Sequence, residues 1–328
     1  MGARLPTSTS LAAMTARVPP AQGLLRFASS IFKAPRRHPT AGIPGMELRP
    51  LDPKVEVEPL RKFLSQSDPH DYLLEDIDEW IRHGRLWVGV EGNSWVAFGR
   101  IHDLGHGEGW VSGLRIRSSR RREGLGSQLL RTLMSDARSN GLTELRGVIE
   151  DKNVASRQLF RRHGFLPTVE LTLRRAAAAT GNAEQLRLAV AGDRLDGPIG
   201  WIPSLAGVVD FLPGAEGGRY GRWNSRIVER WIAEGKLYVG SGLAAAVQVD
   251  WLREPRTLWV NPLQGEPKAL LPAISCLSKT LGHPEWQAFL PSTAELRQEY
   301  ADLGMSPHTS WGDRIHLYER IERPSVPS

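Results

Sequence analysis

The stretch "SSRRREGLGSQLL" (residues 118–130) decides how this chain is read. Arg120, Arg121, Arg122 and Glu123 lead into Gly124-Leu125-Gly126. Beyond them Leu125, Leu129, Leu130, Leu133, Met134 and Ala137 fall on one face of an amphipathic helix, and Gly141 is placed to end it. "WVSGLRI" (110–116), just before the loop, has the pattern of a strand. A strand that passes through glycines into a helix presents the unpaired amides of a helix N-terminus, where the helix dipole also favours an anion. Gly124 and Gly126 allow close approach to the backbone, and Arg121 and Arg122 can add charge-assisted bonds to phosphate oxygens. The loop is neither a nucleotide P-loop, which needs Gly-Lys-Ser/Thr, nor a dinucleotide fingerprint, whose third glycine is replaced by Leu129.

Outward from the loop, strand and helix patterns alternate from Met46 onward. "MELRPL" (46–51), "RLWVGV" (85–90) and "WVAFGRI" (95–101) have the pattern of strands, and 57–66 and 74–83 have helical spacing. Residues 91–94 and 105–109 mark turns. "ELRGVIE" (144–150) is a further strand, and Asn153 is placed to cap a helix over 154–163 that stops at Gly164. "TVELTLRR" (168–175) closes the unit, and "AAAATGN" resembles a linker.

The chain then repeats itself. "EWIRHGRLWVG" (79–89) returns as "RWIAEGKLYVG" (230–240), "WVSGLRI" is echoed by "WVNPLQG" (259–265), and "RQLFRRHGF" (157–165) by "RQEYADLGM" (297–305). The order is kept, which predicts two diverged copies of one α/β unit. The second copy reads "QGEPKALLPAISCL" (264–277) where the Arg/Gly loop would stand. The expected organisation is a basic tail over 1–45, a first domain over 46–174, a linker over 175–183 and a second domain over 184–328.

Charge excludes one class of function. Six of the 42 basic residues and none of the 36 acidic ones fall in residues 1–45, so the remainder is balanced. The basic pI belongs to the tail, and nucleic-acid binding loses its electrostatic basis. Cys276 is the only cysteine, which excludes an internal disulfide and a cysteine metal site. No apolar run reaches membrane-spanning length. The expected compartment is the cytoplasm. The acid-free tail, with its Arg and Ser residues, also fits an organellar transit peptide, whereas the strand pattern starting at Met46 favours an over-long start.

Two motifs in order carry a family resemblance over 46–174. Arg121-Arg122-Glu123-Gly124-Leu125-Gly126, between a strand and a long helix, is similar to the central signature of GNAT-type N-acetyltransferases. Asn153 and Ala155, followed by Phe160 and Gly164-Phe165, resemble their second signature. The resemblance implies two tandem GNAT-like α/β domains, each a mixed, mostly antiparallel sheet flanked by helices, the second degenerate. It implies acetyl-CoA as cosubstrate, with no metal. The cofactor residues would be Leu114, Ile116, Arg121, Arg122, Glu123, Gly124, Leu125, Gly126, Ser127 and Asn153. The pyrophosphate would lie on the amides of 121–127, the pantetheine along Leu114–Ile116, and the thioester where two strands splay apart. A primary amine would attack the thioester directly within a ternary complex.

One position departs from the family. The tyrosine that usually serves the leaving thiolate is Phe160, and a phenyl ring donates no proton. Tyr300 stands at the echoed position of the second copy, which lacks the loop, so a packing role is expected there. Glu150 and Glu108 are the candidate bases, with His102 and His106 in the same neighbourhood. His102 and His106 lie on a glycine-broken turn, which does not suit a metal. The paired tryptophans Trp80/Trp231 and Trp110/Trp259 predict shared core packing. Trp95, Trp201, Trp223 and Trp251 are either packed or line a cleft.

The layout, an intact first domain before a degenerate one, resembles the histidine N-acetyltransferases of vertebrates among the family's tandem members, which favours a small amine or amino acid as acceptor. The second copy would complete or cover the substrate site, or hold two chains together as a homodimer. The rival readings are a protein or peptide N-terminal acetyltransferase and a non-catalytic acetyl-CoA sensor.

Overall fold

The helix expected after the Arg/Gly loop organises the first half. In the computed structural model it spans Leu125–Ser139, and all six apolar positions of its predicted face are buried. That face lies on a sheet strand at Gly99, where an added Cβ would stand 3.1 Å from Leu133 Cδ1 and 3.2 Å from Leu129 Cδ2, so the missing side chain lets helix and sheet approach. The structure describes residues 46–321 except 53, 70, 72, 84, 182–185, 196–207, 211–218, 221–224, 250–256 and 309–313. The tail over 1–45 and Trp201, Trp223 and Trp251 lie outside the described residues.

The first half runs β1 (Glu47–Pro50), α1 (Val57–Ser67), α2 (Leu73–His83), β2 (Arg85–Glu91), β3 (Ser94–Gly105), β4 (Glu108–Ile116), α3 (Leu125–Ser139), β5 (Glu144–Glu150), α4 (Val154–Arg162) and β6 (Leu166–Ala177). The second half runs β7 (Arg187–Leu188), β8 (Val208–Asp210), β9 (Arg219–Tyr220), α5 (Ser225–Ala233), β10 (Leu237–Val239), β11 (Ala244–Val249), β12 (Leu258–Gln264), α6 (Pro267–Thr280), β13 (Glu285–Pro291), α7 (Ala294–Asp302), β14 (Ser306–Pro307) and β15 (Ile315–Ile321). The turn between β3 and β4 has His106 and Gly107 both at positive φ, the geometry of a tight hairpin whose twist matches its strands.

Both halves share one mostly antiparallel sheet of 13 strands, in the order β1-β2-β3-β4-β5-β15-β6-β13-β12-β11-β10-β7, with β14 on β6. The last strand of the chain therefore does not stay with its own half. β15 lies antiparallel between β5 and β6, pairing Ile315–Ile321 with Glu144–Glu150 on one side and Ile315–Glu319 with Leu166–Leu171 on the other. β6 is correspondingly long. Its first part pairs with β15, and Leu171–Ala177 pairs with β13. Residues 175–177, compositionally the start of a linker, thus carry ladder bonds of the sheet.

Alternation on these strands sorts the core into two faces. On one face α3 packs on β3, β4 and β5 through Ile101, Val111, Leu145 and Ile149, joined by Phe160 of α4 and Tyr318 of β15. α6 and the α7 residue Tyr300 pack with β11, β12 and β13 in the corresponding core of the second half. The opposite face holds Trp80 over β2 and β3, and a shared core that links Trp110, Leu171, Leu317, Trp231 and Trp259 across the two halves. The four paired tryptophans are all buried, as their recurrence predicts. Trp95 is half-buried against Phe63, with ring centroids 6.4 Å apart.

Candidate functional site

β4 and β5 run parallel but pair over only three residues, Glu108–Trp110 with Glu144–Arg146. Beyond Trp110 and Arg146 the ladder stops, so the strands part. The backbone of Val111–Ile116 faces the gap without a β5 partner in the described ladder. β4 also bulges on its other side: Phe98 stands opposite Arg115 and Arg100 opposite Ser112. Gly113, inside the bulge, has φ +66°, and an added Cβ would meet the Trp80 ring, so only glycine suits the site.

The Arg/Gly loop caps the open end of this gap. After Ile116 the chain makes a single 3-10 turn over Ser118–Arg120, and Arg122 and Gly124 take left-handed conformations at φ +69° and +84°. Arg122 is not a glycine, so its positive φ carries strain that the loop retains. α3 begins at Leu125 with its first ladder bond from Gln128 N–H to the Gly124 carbonyl, and its N-cap offers no side-chain bond. α4 and α7, by contrast, are capped by Asn153 and Thr293. The amides of Leu125, Gly126 and Ser127 therefore lack intrahelical acceptors at the positive end of the α3 dipole. Arg120 is turned away from that end by ion pairs to Glu91 and Glu123. Arg121 and Arg122 are exposed, and Arg121 Nε donates to the Ile116 carbonyl at 3.4 Å.

Ser127 is tied to two neighbouring basic side chains. Its Oγ lies 2.6 Å from His163 Nε2 and accepts from Arg131 Nη1 at 3.1 Å. Burial, followed by the charges of Arg131 and Arg320, holds the His163 imidazolium pKa below the usual value. Asn153 is drawn into local structure, its Oδ1 accepting from Ser156 N–H at 3.1 Å. Leu114 and Ile116 are half-buried on the α3 side of β4.

The two candidate bases are far apart. Glu150 ends β5 at the open end of the gap. By alternation from Arg146 and Val148 its side chain faces away from α3, and it pairs with Lys152 Nζ at 2.7 Å. Glu108 begins β4 at the closed end, one strand length from the loop, or roughly 26 Å at about 3.3 Å per residue. It is buried and bonded to Arg146 Nη1 at 2.6 Å. The structure thus brings Glu150 to the loop end and keeps Glu108 away from it, because β4 and β5 are parallel and the loop follows the C-terminal end of β4. Next to Glu150, Asp151 accepts from Arg157 at 2.5 Å and lies 2.7 Å from His316 Nε2. The bond with His316, aided by Arg157 and Arg314, lowers the Asp151 pKa. His316 comes from β15, which no local feature of the first half announces.

Phe160 is buried on α4, 4.6 Å from Phe165 and 5.8 Å from Tyr318 between ring centroids. In the second half, β12 and β13 also part after two paired residues. There the loop has shrunk to Gly265-Glu266, and Pro267 opens α6. Proline removes an amide and Glu266 sets a carboxylate at the helix start, which opposes an anion. Tyr300 is buried with its hydroxyl donating to the Pro291 carbonyl at 3.2 Å, and burial pushes its pKa up. Among the described residues no cluster of three or more His, Cys, Asp or Glu stands at metal-binding range, and no helix is long and apolar enough to cross a membrane.

Residues 56–165 match the model of the acetyltransferase (GNAT) family. The chain superposes on a GCN5-related N-acetyltransferase from Sphaerobacter thermophilus with a TM-score of 0.57 at 13% identity, over 87% of this chain and 98% of that one. It superposes on a tandem GNAT protein from the clavulanic acid biosynthesis pathway with a TM-score of 0.54 at 14% identity, over 86% and 100%. At such identities the likeness is one of fold. No curated protein sequence matches the chain. Residues 56–165 are thus a GNAT acetyltransferase domain, of a family whose members are acetyl-CoA-dependent acyltransferases.

Proposed function

We propose that this protein transfers the acetyl group of acetyl-CoA to the primary amine of a small molecule or amino acid, by direct attack within a ternary complex. The observation that carries this reading is the uncapped N-terminus of α3, with Arg122 and Gly124 at positive φ, opening beside the gap between β4 and β5. The chain's groups fit the cofactor there. The amides of Leu125, Gly126 and Ser127 and the guanidinium groups of Arg121 and Arg122 suit a pyrophosphate. The strand edge at Leu114–Ile116 offers backbone groups to the amides of a pantetheine arm. When bound, acetyl-CoA supplies an activated thioester. Glu150, at the open end of β5 and facing away from α3, would take the proton of the attacking amine, directly or through one water. Arg115 bonds Asp71 at 2.6 and 3.0 Å, which fastens the α1–α2 connection over β4 beside the gap. That covering supports a small acceptor over an extended peptide.

The test is Gly126→Glu. An added Cβ at Gly126 meets only ordinary contacts, 3.6 Å to Leu159 and 3.7 Å to Ile116. A carboxylate in a first helical turn stabilises the helix by about 0.3–1 kcal/mol, yet it occupies the anion site, as Glu266 does in the second half. The variant is expected to melt no lower than wild type and to lose acetyl-CoA binding in calorimetry. Wild-type binding at one site per chain, followed by thiol release across an amine panel, supports the transferase. Binding without release for any amine makes the protein a sensor, and equal binding by G126E removes the loop from the site.

A further inference from the structure

The missing tyrosine at position 160 has a neighbour that can replace it. β15 brings Tyr318 directly opposite Gly147 of β5. Gly147 is the first β5 residue beyond the last β4–β5 pair, so it sits at the apex of the gap. An added Cβ there would stand 2.8 Å from the Val111 carbonyl oxygen and 3.1 Å from Phe160 Cε1. Val111, Phe160 and Tyr318 therefore converge on one glycine. Tyr318 meets Phe160 edge to face at 5.8 Å, and a tyrosine side chain is longer than the spacing of about 5 Å between neighbouring strands. Tyr318 is fully buried, and its hydroxyl has no hydrogen-bond partner among the described residues. A buried hydroxyl without a partner is costly, and the packing alone would be served by phenylalanine, as at 160 and 165.

We propose that Tyr318, delivered by the C-terminal strand, is the hydrogen-bond donor to the sulfur of CoA at the apex of the β4–β5 gap. The inference rests on the acetyl-CoA reading above. In the transfer the amine nitrogen forms the C–N bond as the C–S bond breaks and its electron pair leaves on sulfur. The amine proton passes to Glu150 and on to solvent. The Tyr318 hydroxyl donates to the departing sulfur and stabilises the thiolate by a charge-assisted bond. The second half, although it lacks a loop, would then supply a catalytic residue to the first.

The experiment compares wild type, Tyr318→Phe and the double variant Y318F/F160Y, using free CoA as the probe. Thiolate absorbance of bound CoA is followed from about pH 6 to about pH 10, a range that brackets an ordinary thiol. In wild type the bound thiol is expected to ionise at lower pH than in Y318F. The double variant, with its hydroxyl moved to α4, is expected to return toward wild type. Turnover in the amine panel is expected to fall about 100-fold in Y318F, the lower range for loss of one hydrogen-bond donor to developing negative charge, with the KM for acetyl-CoA little changed. Melting temperature is expected to stay level or rise, because the lost hydroxyl was unsatisfied. Superimposable thiol titrations overturn the proposal. A lower melting temperature with CoA binding lost does so too, because it makes the role structural. If wild type itself binds no CoA, the acetyl-CoA reading falls and this one with it, whereas normal CoA binding with an unshifted titration sinks only the role of Tyr318.

Discussion

Replacing Arg146 by methionine probes how the C-terminal strand is held in the first half. Arg146 is fully buried on β5, and its guanidinium bonds Glu108 of β4 at 2.6 Å, Glu144 at 2.8 Å and Glu319 of β15 at 2.9 and 2.6 Å. One cation thus joins three strands, including one from the far end of the chain. Two effects oppose each other in Arg146→Met. Burying an apolar side chain of that length contributes about 1.5–3 kcal/mol. Removing one partner of a buried ionic cluster costs about 3–5 kcal/mol as observed, with such packing gains already included. Of the carboxylates left behind, Glu108 is itself buried. The loss therefore wins, and R146M is expected to fall by about 3 kcal/mol or more. That is a large share of the roughly 5–15 kcal/mol that domains possess. The cluster as a whole is different, since exchanging all its charged members together is often neutral. R146M/E108Q/E144Q/E319Q is accordingly expected to regain most of what R146M loses. Urea titration followed by the fluorescence of the 11 tryptophans measures both. A loss under about 1 kcal/mol for R146M, or a quadruple variant no better than the single one, would refute the reasoning.

Two further outcomes follow from the same region. Glu170 of β6 bonds Arg314, just before β15, at 2.8 and 2.9 Å, and that bond is the main reason its pKa lies below the ordinary 4.5. A carboxylate lowered on folding stabilises above its unfolded pKa and ceases to do so as pH falls through the folded one. Both partners are partly exposed, so the difference between wild type and Glu170→Gln should be at most about 1 kcal/mol. It should be constant above about pH 5.5 and shrink as pH falls through the lowered folded pKa. A difference that does not shrink on acidification would show that the ion pair is not its source. Gly147→Ala should lower stability by about 1–3 kcal/mol, because the new methyl group meets the Val111 carbonyl at 2.8 Å and overpacks a tight site. It should also weaken acetyl-CoA binding, and calorimetry with unchanged affinity would mean that the apex of the gap lies outside the site.

Much of the site end was legible because its signals are local. The α3 face rests on a helical period that six residues express without exception, and its N-terminus on the glycines that precede it. The repeat identified buried tryptophans in both halves, since packing on equivalent strands preserves large side chains more readily than loops. Glu108 shows the limit of reasoning by sequence neighbourhood. It lies eight residues before Ile116, close in number, but an extended strand turns that interval into the full height of the sheet. β15 was the least legible element. Ile315 and Leu317 face one core while His316 and Tyr318 face the other, which is the pattern of a two-sided buried strand. Nothing in that pattern says that its neighbours stand near residues 147 and 168, because strand partners at long range are chosen by the whole sheet.

The exchange of strands gives the second half, which has no anion loop, a structural role in the first. β6 leaves the first half to pair with β13, and β15 returns from the second half to fill the place between β5 and β6. Were β15 removed, β5 and β6 would each expose an unpaired edge, and Leu317 and Tyr318 would leave voids in the cores on both faces. Asp151 would lose His316, and Arg146 would lose Glu319. The first half is thus complete only when the chain has folded to its end. Loss of the loop from the second half removes an anion site without touching any of these contacts. Substitution of the exposed Glu266 at the second half's turn is therefore expected to leave stability in urea titration nearly unchanged, whereas substitutions of buried residues on the second half's strands are expected to lower it.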